Sequence, residues 1–223
     1  MSTYTILSYP NNLWTKKVFV AAEYGGIADK ISYPSDFNMG VSNKTEEFLK
    51  ISPLGQVPCL KIDGTDTGIF ESNAIAKFIA RVGNDKEGLI GADDVQMSLV
   101  DAWIEFNTNI LTKDIFDLFA FKMGYGQFNK EKFDKALESQ TKGWSILEGH
   151  LNRHGNKFLV GDRVTLADII IGFSCSMTVT HALDSEFRSK YPRTVEYCKN
   201  LFEQEHFKKH ITATFLDKFE PPK

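Results

Sequence analysis

Apolar positions follow two different rhythms along this chain. In the first third, short apolar runs alternate with helical stripes. Tyr4-Thr5-Ile6-Leu7 has strand length and is closed by the turn-rich Ser8-Tyr9-Pro10-Asn11-Asn12. From about Trp14 to Tyr24, Val18, Ala21 and Ala22 share a helical face, and Gly25-Gly26 supplies the stop. Ile27 to Tyr33 is a second strand candidate, and Asn43-Lys44-Thr45-Glu46 fits a capping box ahead of the helical Glu47-Phe48-Leu49. Cys59-Leu60-Lys61-Ile62 and Thr67 to Phe70 read as hairpin arms about Asp63-Gly64. A helix follows from Ser72 to about Arg81.

The predicted order is β-α-β-α-β-β-α. A right-handed crossover between the first two strands and an antiparallel hairpin at the end give a thioredoxin-like layer over residues 1–82. Gly83-Asn84-Asp85-Lys86-Glu87-Gly88 is polar and helix-breaking, so residues 83–92 read as a linker. After it, strand signals largely vanish. One helical pattern covers about Asp93 to Met123, with Leu99, Trp103, Phe106 and Ile110 recurring at helical spacing. A second covers about Lys130 to His154, with Phe133, Leu137, Trp144, Leu147 and Leu151 on one stripe. A third begins at Thr165, and others lie around Val195 to Phe202 and near His206. Residues 93–215 are therefore expected to form an all-helical domain, and FEPPK within 216–223 reads as the start of a linker or tail.

The third helix has the best-specified start. In GDRVTLADI, Thr165 is placed to cap the N–H of Asp168, and Asp168 to reach back to the N–H of Thr165. Val164 and Ile169 occupy the two positions of a hydrophobic staple. On this reading Asp168→Ala costs about 1–2 kcal/mol, half of a partly buried box.

Bulk properties narrow the function classes. The chain has 223 residues, 42% hydrophobic and 25% charged, which suits one large or two small globular domains. A net charge of -3 argues against a basic nucleic-acid surface, so no direct nucleic-acid binding is expected. No apolar run approaches the roughly 20 residues of a spanning helix, and MSTYTILSYP lacks the pattern of a secretory signal. Cys59, Cys175 and Cys198 are few and far apart, as free thiols of a reducing compartment would be. A cytoplasmic chain with no membrane partner is expected.

Candidate chemistry gathers around ISPLGQVPCLKIDG and the FESNAIA that follows. Pro58 enters a strand without a backbone donor; it either starts an edge strand or holds a cis bond that turns Val57 outward. Glu71-Ser72 stands where a strand hands over to a helix, whose unpaired N–H groups attract a carboxylate. Ser72 would add a hydroxyl donor and Glu71 an acceptor for an ammonium. The alternative is that Ser72 is only a helix cap and Glu71 a solvated loop acid. His150 with His154, and His206 with His210, have a spacing that suits metal ligation on a helix. Neither pair has companions that complete a site, so both read as solvated helix ends and no metal is expected. Lys208-Lys209 reads as surface charge, and Cys59 as a buried small residue.

GQVP followed by FESNAIA resembles the glutathione-binding signature of the cytosolic glutathione transferase superfamily. VTLADI resembles the capping motif of its helical domain. The resemblance covers nearly the whole chain and implies a thioredoxin-like domain with a cis-proline at Pro58, joined to an all-helical domain. Gln56, Val57, Glu71 and Ser72 match its glutathione-contacting positions. Its members place a Ser, Tyr or Cys at the start of the first helix to activate the thiol; here Asn12 occupies that position, two residues after Pro10. Ser8 or Tyr9 would substitute only if the loop shifted.

Within the superfamily the chain resembles the gamma-subunit family of translation elongation factor 1B, on YPNNLWTKKVFVAAEYGG, FNMGVSNKTEEFL, FLVGDRVTLADI and FRSKYPRTVEYCKNLF. That likeness implies a scaffold that holds the nucleotide-exchange subunit and often self-associates as a homodimer. It also implies a lysine-rich linker and a further domain after Lys223; the chain ends before them, as a fragment or a member departing from the family would. Conjugating activity is then weak or absent, with no cofactor beyond glutathione or a related thiol as ligand. The alternatives are an active thiol transferase, or a transferase-like docking module of another assembly such as a synthetase complex.

Overall fold

Four short strands, β1 (Tyr4–Leu7), β2 (Ile31–Ser32), β3 (Cys59–Ile62) and β4 (Gly68–Ile69), form one sheet in the order β2-β1-β3-β4. The structure, a computed structural model, describes residues 3–84, 88–155, 157–220 and 222. Its chain divides into two units, Met1–Ile90 and Gly91–Lys223. Asp85 to Glu87 of the expected linker, and Pro221 and Lys223 of the tail, lie outside the described residues, as does the side chain of His154.

In the first unit β1 pairs parallel with β2 and antiparallel with β3, placing Ile6 opposite Leu60 and Leu7 opposite Cys59. Strand alternation then sends Ile6 and Leu60 to the same face, where both are fully buried. Helix α1 (Lys16–Tyr24) and helix α3 (Ser72–Val82) pack together, burying Val18, Ala21, Ala22, Ile75, Ala76 and Ile79. Gly25 and Gly83 let the ends of these helices meet: a Cβ on Gly83 would lie 2.8 Å from the Gly25 Cα. The sheet strands are shorter than the apolar pattern allowed. Ile27 to Lys30 is largely a 3-10 turn, and only Ile31 and Ser32 pair with β1. Helix α2 (Glu46–Ile51) is capped by Thr45, whose hydroxyl accepts from the Phe48 N–H at 3.3 Å. Asn43, expected as the cap, is buried instead. Its amide donates to the Gly55 carbonyl and accepts from the Gly40 N–H, both at 2.7 Å, and so fastens two loops.

The second unit is helical among its described residues. Helix α4 (Asp94–Phe106) starts on Asp93, which accepts from the Gln96 N–H at 2.8 Å. The single long helix expected to Met123 ends much earlier. A π-turn, Asn107–Leu111, and two 3-10 segments, Ile115–Leu118 and Ala120–Met123, replace its second half. The Thr112 N–H bonds to the Asn107 carbonyl, five residues back. The buried stripe is Val100, Ile104, Asn107 and Leu111, one position on from the expected Leu99, Trp103, Phe106 and Ile110, and Leu99 is 48% exposed.

Helix α5 (Lys130–His154) buries Phe133, Trp144, Leu147 and Leu151. Helix α6 (Leu166–His181) is buried from Leu166 to Val179, so it is central rather than amphipathic. A short α7 (Ser185–Arg188), absent from the sequence reading, precedes α8 (Pro192–Phe202) and α9 (Glu205–Lys208). Glu148 of α5 caps α8 from outside, accepting from the Arg193 and Thr194 N–H groups at 3.1 and 2.8 Å. The thioredoxin-like unit followed by an all-helical unit is the fold class expected.

Leu216 and Phe219 are strapped to the helical unit. Leu216 donates to the Val179 carbonyl at 2.9 Å, and Arg188 donates to the Leu216 carbonyl at 2.7 Å. Phe219 stacks on Phe133 with centroids 5.3 Å apart, under the Lys122 ammonium at 3.9 Å.

Candidate ligand site at two helix starts

Asn12 is 2% exposed and works as a helix cap. Its Oδ1 accepts from the Trp14 N–H at 2.9 Å, its Nδ2 donates to the Ser8 hydroxyl at 3.0 Å, and its carbonyl accepts from the Thr15 hydroxyl at 2.7 Å. Ser8 is fully buried beneath it. Thr15 in turn accepts from the Tyr33 hydroxyl at 2.7 Å. The groups sequence reading offered for thiol activation are thus engaged in shaping the turn that starts α1. Tyr9, the remaining candidate, is 39% exposed.

The loop before β3 is fixed by short bonds. Gly55, at φ +65, donates to the Ser52 carbonyl at 2.8 Å. The Ser52 hydroxyl donates to the Gln56 carbonyl at 3.1 Å, and the Cys59 thiol donates to the same oxygen at 3.4 Å. The Gln56 side chain is left exposed, Val57 is half-buried, and the Val57–Pro58 bond is cis. Cys59 is fully buried, and burial raises its thiol above the ordinary value.

Glu71 caps α3 at φ +68, one of two non-glycine residues with positive φ among those described. Such backbone is strained for a side-chain-bearing residue and concentrates at functional sites. Ser72 is not the cap, contrary to the simpler of the two sequence alternatives; it is the first helical residue, half-buried. Glu71 is exposed, and its side chain makes no capping bond.

One residue at this site had no role in the sequence reading. Lys17, on α1, is 1% exposed. Its ammonium donates to the Asn73 side-chain oxygen on α3 and lies 4.9 Å from the centre of the Trp14 ring. Burial lowers its pKa from 10.5 to about 7, an effect that Glu71 partly opposes. A signal existed: Lys17 lies four residues before Ala21, on the apolar face, whereas a solvated lysine would have been out of phase with it.

Asn12 and Trp14, Lys17, then Asn73 and Glu71 therefore form one connected set joining the starts of α1 and α3, with Cys59 beside it through the field of Glu71 and the Gln56 carbonyl bonded to the Cys59 thiol. A cavity of about 650 Å³ in the same unit lies elsewhere, lined by Leu7, Pro34, Phe37, Phe48, Ile51 and Lys61 among others; none of the site residues borders it.

In the second unit the Asp168 carboxylate is fully buried. Its Oδ2 accepts from the Thr165 N–H at 2.8 Å and the Thr165 hydroxyl at 3.0 Å, within a capping box. Its Oδ1 accepts from the Leu159 N–H at 2.9 Å and the Tyr197 hydroxyl at 3.0 Å. The expected solvated histidines are not so. His150 is half-buried, edge-on to Trp103 at 4.8 Å, with Nε2 3.0 Å from the Leu159 carbonyl. His206 and His210 are also half-buried. Lys208 and Lys209 are surface charges paired with Glu203 and Glu205. Among the described residues no group of His, Cys, Asp and Glu could hold a metal, and no helix is long and apolar enough to cross a membrane.

Residues 13–82 match the family described as glutathione S-transferase, N-terminal domain, and residues 111–205 match its C-terminal domain. The chain belongs to the glutathione S-transferase family. Among solved structures, a glutathione S-transferase-I bound with lactoylglutathione is similar with a TM-score of 0.77 and 26% identity, covering 93% of this chain and 97% of that one. Glutathione transferase F2 from Populus trichocarpa shares the fold with a TM-score of 0.78 at 22% identity, covering 94% and 96%. Curated relatives carry a different name. The probable elongation factor 1-gamma 2 of Arabidopsis thaliana is 36% identical over 96% of this chain and 50% of its own length. Elongation factor 1-gamma of Artemia salina is 35% identical over 91% of this chain and 45% of its own. The chain spans about half the length of the curated relatives it matches.

Proposed function

We propose that this chain is the glutathione-transferase-like scaffold of a translation elongation factor 1B complex, holding the nucleotide-exchange subunit during protein synthesis in the cytoplasm, and self-associating as a homodimer. The observation that carries this is the set of elongation factor 1-gamma relatives, similar across almost the whole of this chain. The chemistry of the first helix start agrees with it. A glutathione thiol needs a donor that stabilises the thiolate, and Asn12 already uses its side chain to cap that turn. Conjugation is therefore slow or absent, while ligand recognition is retained. In the proposed pose the γ-glutamyl carboxylate meets the α3 start and the Ser72 hydroxyl, its ammonium meets Glu71, and the Val57 backbone pairs with the ligand peptide.

The second reading, an active thiol transferase, is favoured by the strained Glu71 at the head of α3. One experiment separates the two. Purified chain is mixed with a recombinant exchange subunit, and conjugation of glutathione to a chlorodinitrobenzene is followed for wild type, Asn12→Ser and Ser72→Ala. The scaffold reading expects a stable complex, little wild-type turnover, and more in Asn12→Ser, whose hydroxyl can still cap. Rapid wild-type conjugation that Ser72→Ala abolishes, together with no capture of the exchange subunit, overturns it in favour of an enzyme.

A further inference from the structure

We infer that Lys17 is a positioning residue of the α3 ligand site: its ammonium holds Asn73 and supplies the positive charge that a bound ligand carboxylate answers. This rests on the reading of the α3 start as a glutathione-type site. The case is geometric. A lysine that is 1% exposed has given up its hydration, and such residues are rarely kept in a core unless they are paired. Lys17 reaches across from α1 to the side chain of the second residue of α3, the same turn that presents the free N–H groups. Trp14 supplies the other wall at 4.9 Å, and Trp14 is itself set by the Asn12 cap. The lysine therefore ties the α1 start to the α3 start and lies behind the place where an anion would sit.

Its charge balance suits that role. The titratable group whose charge acts on it is Glu71 at the head of α3, which favours the ammonium; Tyr33 bonds to Thr15 at the start of α1. Burial has brought Lys17 down to about 7, so near neutral pH it is divided between amine and ammonium. A carboxylate arriving at the α3 start favours the ammonium, and binding should draw a proton from solution. A ligand without that carboxylate should not.

The test uses the full chain and isothermal calorimetry with glutathione and with an analogue lacking the γ-glutamyl α-carboxylate. Binding enthalpies are compared at pH 7.5 in buffers of different ionisation enthalpy. Wild type should take up protons on binding glutathione and none with the analogue. Lys17→Met, of similar length and apolar, should lose the proton uptake and roughly tenfold in glutathione affinity, with analogue affinity unchanged. Asn73→Ala, which frees the ammonium without touching α1, should weaken glutathione in the same direction. No proton uptake in wild type overturns the inference however the variants fold, and so does an equal loss for both ligands in Lys17→Met, which marks a merely structural role. If wild type binds neither ligand, the site reading falls and this inference with it. If it binds glutathione and Lys17→Met binds equally well, only the inference falls.

Discussion

Replacing Asp168 should change stability in a way that depends on pH with a definite sign. Two effects oppose each other at this carboxylate. Four donors favour its ionised form: the Thr165 N–H and hydroxyl, the Leu159 N–H and the Tyr197 hydroxyl. Complete burial disfavours it, and burial prevails, raising the group from 3.8 to about 6. An acid whose folded value lies above its unfolded one contributes stability at low pH that is lost as pH rises through the folded value. Relative to Asp168→Asn, which cannot ionise, wild type should therefore lose about 2 kcal/mol between about pH 4.5 and 7.5. Asp168→Ala strands three buried donors from other groups, the two backbone N–H groups and the tyrosine hydroxyl, at about 1–2 kcal/mol each. It should thus cost about 3–6 kcal/mol at the acidic end and about 2 kcal/mol less at the neutral end, where wild type carries the burial of a charge. Urea unfolding followed by tryptophan emission reads this out, since Trp103 and Trp144 share the unit that holds Asp168. A wild-type advantage over Asp168→Asn that grows with pH would refute the reasoning, because it would mean that the four donors outweigh burial.

Other substitutions address packing and access. Gly83→Ala puts a Cβ 2.8 Å from the Gly25 Cα and 3.0 Å from its carbonyl oxygen, both backbone atoms. It should therefore cost about 1–3 kcal/mol in a denaturant midpoint, and a neutral result would show that α1 and α3 can part freely. Phe219→Ala removes the stack on Phe133 and the partner of Lys122, which should cost about 1–2 kcal/mol and speed proteolysis after Ile211. Unchanged cleavage would mean that the strap is held by its backbone bonds alone. Cys59, Cys175 and Cys198 are buried, and burial raises the Cys59 thiol, so a disulfide reagent should titrate none of the three until the chain is unfolded.

What was legible in the sequence was what short-range chemistry dictates. The Thr165 and Asp168 pairing lies within one helical turn, so spacing and residue type sufficed. The partners that make it a buried network, Leu159 and Tyr197, come from 9 and 29 residues away, and no local pattern announces them. Asn43 failed as a cap for a related reason: the sequence offers two good N-cap residues, Asn43 and Thr45, and the choice is made by the Gly55 carbonyl, which only the folded loop brings near. The break in the helix after Phe106 was hidden because apolar residues keep recurring through the π-turn, and the buried face runs one position on from the apolar stripe, with polar Asn107 inward and Leu99 outward. Lys17 was passed over because a lysine next to another lysine reads as solvated, although its phase with Val18 and Ala21 placed it inside.

The same residues explain why recognition and reaction can part company in the proposed scaffold. Both depend on a helix start, but on different ones. The α3 start keeps its groups available: Glu71 is exposed, Ser72 is half-buried, and neither is used to close the helix by a side-chain bond. The α1 start is closed, with the Asn12 amide bonded to Trp14 and to Ser8. A thiol lying there gains no hydroxyl donor, so its pKa stays near the value of about 8.5 for a free thiol and only a few per cent is thiolate at neutral pH. On the proposed reading a single side chain separates the two properties, and Asn12→Ser is the change that should bring them back together. It replaces one good N-cap by another, so the turn at Leu13–Thr15 should survive while a hydroxyl becomes available. If glutathione binds wild type and Asn12→Ser equally well but conjugation rises only in the variant, thiol activation was the missing element. Equal and slow turnover in both would place the loss elsewhere, in the site for the electrophile.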